Sequence, residues 1–133
     1  MEKEIYLTYY PEDKEIHIWL TNADETQTVS QYDDGIGFKK EKIMTLEQGQ
    51  FFELYNTLAE VNIKDFIDNN GEGDTDGATF EIAFGGITDK IHYELQVHKD
   101  NMEQRKVKTI CEVVKKILEI SGIDKKEYEN DFI

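Results

Sequence analysis

Cysteine and proline each occur once in this 133-residue chain, at Cys111 and Pro11, and histidine only three times. A lone cysteine cannot close an internal disulfide, and it excludes a cysteine-based zinc site. No apolar run approaches the roughly 20 residues needed to span a bilayer, and no apolar leader core follows Met1. The chain is therefore expected to be cytoplasmic. Catalytic signatures are missing as well. There is no His-x-His or His-Glu-x-x-His spacing and no serine nucleophile elbow. Gly35-x-Gly37 and Gly71-x-Gly73 are too short for a dinucleotide loop, and neither opens a helix after a strand. With no such motif, the expectation is a protein that is not an enzyme and holds no metal or cofactor.

Basic residues are also scarce, and they are absent from two long tracts. Twenty-nine acids face fifteen bases, for a formal net charge of −14. Glu15–Phe38 carries five acids and no Lys or Arg, and Asp65–Asp89 carries seven and none. Such a surface repels nucleic acid and anionic membrane and draws basic partners toward it. Aromatic residues make up 11% of the chain, which separates it from disordered acidic sequences. Its length suits one domain with one core, and residues 1–133 are read as that single domain.

Two hairpins are legible. Ile5, Leu7 and Tyr9 alternate on one strand and Ile16, Ile18 and Leu20 on the next, with Pro11-Glu12-Asp13-Lys14 as the turn. Ala78, Phe80, Ile82 and Phe84 pair in the same way with Ile91, Tyr93, Leu95 and Val97, across a connection begun by Gly85-Gly86. Thr26–Tyr32 reads as a third strand ended by Asp33-Asp34-Gly35, and the lysine-rich stretch after it as a loop or short strand. Thr45-Leu46-Glu47-Gln48 has capping-box spacing and is expected to open a helix with Phe51, Leu54, Tyr55, Leu58 and Val61 on one face. A longer helix is expected from about Asn101 to Ser121, stopped by Gly122. Residues 123–133 read as a charged, loosely docked tail with Tyr128, Phe132 and Ile133 as docking points. The expected fold class is α+β, an antiparallel sheet of four to five strands with two main helices on one face, in the order β-β-(β)-α-β-β-α.

Three constellations are candidates for chemistry. Asp68, Asn70, Glu72, Asp74 and Asp76 alternate around Gly73, as oxygen ligands do in an EF-hand loop. The twelfth position, however, is Thr79 and falls in a strand, so the segment reads as an acidic surface loop. His17, His92 and His98 lie opposite the core faces of their strands, with Glu94 between the last two. If the strands were neighbours, they would offer a His/Glu face for a metal or for acid–base work. Cys111 falls in the apolar stripe of the last helix, which predicts a buried, inert thiol.

The remaining signal is aromatic. Tyr6, Thr8, Tyr10 and Trp19 project opposite the core face, giving rigid anchors with carboxylates around them, as recognition surfaces have. In size, charge and order of elements the chain resembles small bacterial proteins such as immunity proteins, which neutralise basic toxin domains. That likeness carries no motif, so it transfers no residue. The expected function is an acidic protein that docks on a basic protein partner, such as a toxin or nuclease. Trp19, Tyr32, Asp33, Asp34, Asp68, Glu72, Asp74 and Asp76 are its candidate contact residues. A ligand-binding or enzymatic domain using the His/Glu face and a component of a larger assembly are the alternatives.

Overall fold

The computed structural model describes residues 2–33, 39–62, 64, 73–74 and 76–132, with the side chains of 29–33 and 39–41 left aside. Strands β1 (Lys3–Tyr9), β2 (Lys14–Thr21), β3 (Thr26–Asp33) and β4 (Lys39–Thr45) precede helix α1 (Gln50–Ala59). Strands β5 (Ala78–Gly86) and β6 (Lys90–Val97) follow, then helix α2 (Lys108–Ile120) and a four-residue helix α3 (Glu129–Phe132). The six strands form one sheet in the order β4-β3-β2-β1-β5-β6, antiparallel throughout. The class is α+β, as expected.

Strict alternation on β1, β2 and β5 gives the sheet one apolar face. Register places Ile5 opposite Leu20 and Phe84, and Leu7 opposite Ile18 and Ile82. All of these are buried, together with Phe51, Leu54 and Leu58 of α1 and Ile110, Val114, Ile117 and Leu118 of α2, in one core cluster. Each such side chain taken from water stabilises the fold by roughly 1.5–3 kcal/mol before entropy is counted. A polar tie crosses this core. Buried Gln27 on β3 donates through Nε2 to Ser121 Oγ at 2.5 Å, and Ser121 donates on to the Ile117 carbonyl at 2.6 Å.

The structure corrects the sequence reading at four points. The sheet has six strands because the lysine-rich stretch Lys39–Thr45 is an edge strand on β3. Lysines suit an edge, where they discourage pairing with another chain. Thr45 does not open α1. It closes β4 opposite Thr26, and α1 instead follows Gly49 at φ 80° with no side-chain cap, the Glu47 amide donating to Gln50 Oε1 at 3.3 Å. The last helix starts at Lys108 rather than near Asn101. A 3₁₀ turn at Lys99–Asn101 and Lys106 at φ 56° separate it from β6. His98 is not in a strand: its ring Nδ1 accepts from the Asp100 amide at 3.1 Å and caps that turn.

The expected stop at Gly122 is present. At φ 72° its amide returns to the Glu119 carbonyl, and the Ile123 amide returns to Leu118. Paired 5→2 and 6→1 bonds of this kind end a helix cleanly. Beyond it, Ile123 and Tyr128 are buried and Phe132 packs on the core. The Tyr9 hydroxyl donates to the Asp131 carboxylate, and Lys14 Nζ lies 2.6 Å from Glu127 Oε1. The tail is seated by these contacts. Ile133 lies outside the described residues.

Candidate functional site

The helices cover one face of the sheet, and alternation places the other set of side chains on the opposite face. Register arranges that second set in transverse rows. One row runs Ile43, Thr28, Trp19, Tyr6, Ala83 and His92 from β4 to β6. In it Ile43 is 71% exposed, Tyr6 is 41% exposed and Trp19 is half-buried. An exposed apolar side chain alone is ordinary, but several aligned across one face form a patch.

The neighbouring row contains His17, Thr8, Glu81 and Glu94 on β2, β1, β5 and β6. His17 Nδ1 is 3.0 Å from the Tyr6 hydroxyl and 3.3 Å from Thr8 Oγ1, and the Tyr6 and His17 rings meet edge to face at 6.0 Å. Glu15 Oε1 lies 4.0 Å from His17 Nε2. The Tyr10 hydroxyl donates to Glu81 Oε2 at 3.4 Å. Burial, then the charges of Glu81 and Glu15, raise the Tyr10 pKa above the usual phenol value, so the hydroxyl keeps its proton as a donor. On the margin Lys90 Nζ pairs with Glu4 Oε2 at 3.0 Å.

Ligand atoms of Glu81, His92 and Glu94 all lie within 4.8 Å of one another. Glu81 and Glu94 are direct partners across β5 and β6, and His92 shares the face with Glu94 two residues along. His17 stands three strands from β6, on the order of 14 Å at ordinary strand spacing, and does not join them. His98 is withdrawn into its turn. The expected histidine face is thus divided, with His92, and neither His17 nor His98, grouped with Glu81 and Glu94.

The expected contact residues separate in the same way. Trp19 is on the open face. Tyr32 and Asp33 belong to β3, where their side chains are outside the described set, and Asp34, Asp68 and Glu72 lie outside the described residues. The EF-hand-like pattern falls largely in that undescribed stretch. Asp74 is an internal anchor: it accepts from the His98 amide at 2.6 Å, from Arg105 Nη1 at 2.9 Å and from Asn101 Nδ2 at 3.2 Å. The His98 amide, with the Asn101 and Arg105 donors, holds its carboxyl below the usual range. Asp76 is exposed and accepts from the Gly77 amide at 2.9 Å. Gly77 needs its φ of 127°, since a Cβ there would sit 2.3 Å from the Val97 carbonyl oxygen.

Cys111 borders a cleft of about 530 Å³ beside Lys99, Lys108 and Lys115. Burial pushes its thiol up to about 12, which removes the thiolate a nucleophile needs. Glu81 and Ile43 belong to the face, and sequence reasoning assigned neither to it. The alternation of Glu81 was visible, but its partner on β6 is set by register, which only the paired strands reveal. No protein-family model matches the chain, and no curated protein matches it either. Among the described residues, no helix is long and apolar enough to cross a membrane.

Proposed function

We propose that the chain is an acidic binding protein that docks a basic protein partner on the open face of its sheet, as an inhibitor or immunity protein of a toxin or nuclease would. One observation carries the reading: exposed Tyr6 and Ile43 align with Trp19 on the face opposite the helices, with Glu81 and Glu94 in the neighbouring row and Glu15 in the one beyond. Aromatic anchors supply contact area at low entropic cost, and flanking carboxylates select partners of opposite sign. The net charge of −14 acts over a longer range and speeds encounter with a cationic surface at low salt. Carboxylates can occupy a phosphate-binding groove, which makes a nuclease a fitting target. The buried, unpaired Cys111 is compatible with a reducing, cytoplasmic setting.

Capture from a lysate of the native host tests this reading. Immobilised protein should retain a basic protein at low salt and release it as salt rises. A Tyr6→Ala/Trp19→Ala variant should lose it, and a Glu81→Gln/Glu94→Gln variant should bind it more slowly. Equal retention by all three proteins would contradict the assignment.

A further inference from the structure

We infer that Glu81, His92 and Glu94 form a surface site for a borderline divalent transition-metal ion, zinc in the first instance. The inference is independent of whether a basic partner docks on the same face. One imidazole and two carboxylates are a donor set that zinc accepts, whereas calcium and magnesium favour oxygen alone. Their ligand atoms already lie within 4.8 Å of one another. A tetrahedral ion with bonds near 2.1 Å requires donors about 3.4 Å apart, so small side-chain adjustments suffice. His92 and Glu94 are exposed and free to make them.

The register supplies a second, electrostatic argument. Glu81 and Glu94 are directly opposite on adjacent strands, a placement of like charges that destabilises a sheet. No lysine or arginine is paired with either carboxylate in any ion pair among the described residues. A cation between them converts that repulsion into two bonds. The surroundings leave room for it. The residue opposite His92 is Ala83, whose side chain ends at one carbon, and the Tyr10 hydroxyl already donates to Glu81 Oε2. Outer hydrogen bonds of this kind fix a ligating carboxylate. Three protein donors at an exposed position leave the remaining coordination to water.

Zinc titration of the intact chain, followed by calorimetry and by thermal unfolding, tests the site. One equivalent of zinc should bind saturably and raise the midpoint of unfolding, and magnesium at the same concentration should not. His92→Ala should weaken zinc binding by at least ~10-fold, the range lost when even outer partners of a ligand are removed. Glu81→Gln should weaken it as well and should also raise the unfolding midpoint of the metal-free protein, because the opposed charge is gone. His98→Ala, which removes a histidine outside the cluster, should leave zinc affinity unchanged. Absence of saturable binding would overturn the inference. So would an affinity indifferent to His92→Ala, or one lost on His98→Ala.

Discussion

On β1, Ile5, Leu7 and Tyr9 are wholly buried, while Tyr6, one residue away, keeps 41% of its surface in water. The same contrast repeats on β2, where Ile18 is buried and Trp19 only half so, and on β6, where Leu95 is buried and Glu94 exposed. One backbone thus serves two environments, because successive side chains of a strand point to opposite faces. The inner face is closed by α1, α2 and the C-terminal segment, and it holds apolar contacts and the Gln27–Ser121 tie. On the outer face, aromatic rings, histidines and carboxylates meet in rows set by register. Under the proposed function, stability and recognition are separated by one residue of sequence.

Substitutions on the two faces should therefore differ in kind. The largest loss is expected at Phe80, buried beside Phe132 on the inner face. Phe80→Ala should cost about 3–5 kcal/mol in denaturant unfolding, from lost transfer energy and the cavity left behind. A loss under ~1 kcal/mol would mean that this face is not the packed one. Gln27→Ala should cost about 1–3 kcal/mol, because it removes a buried partner of Ser121.

Asp74 sharpens the comparison at the sheet margin through pH. Its pKa is depressed in the folded protein, chiefly by the His98 amide. The stability it contributes is present above its unfolded pKa of about 3.9 and is lost as pH falls through the lower folded value. Asp74→Asn should thus be less stable than the wild type at neutral pH, and the gap should close in acid. A gap independent of pH would show that the charge of Asp74 is not what ties it to Arg105.

The sequence made the strongly alternating strands legible and the edges obscure. β1, β2 and β5 were readable because each carries three or more apolar residues at period two, with nothing competing for them. β4 was not, since Lys39-Lys40-Glu41-Lys42 gives an edge strand no apolar alternation to read. The start of α1 was misplaced because Thr45, a good cap by type, is held in the ladder by Thr26. His98 has the right parity for the open face, yet Asp74 takes its backbone amide and its ring caps the following turn. For the site, Trp19, Tyr6, His92 and Glu94 could be assigned to one face from alternation alone. Their arrangement into rows could not, because strand order places β1 between β2 and β5, and no local pattern encodes that neighbourhood.

The smallest effect on stability is expected where the effect on binding is greatest. Trp19→Ala, measured in parallel for unfolding free energy and for retention of the basic partner, tests the division of the two faces most directly. The account predicts a stability loss of no more than ~1 kcal/mol, the scale of a cross-strand pair, with retention abolished. A variant that unfolds easily while still holding its partner would contradict it, and would place Trp19 with the core rather than with recognition.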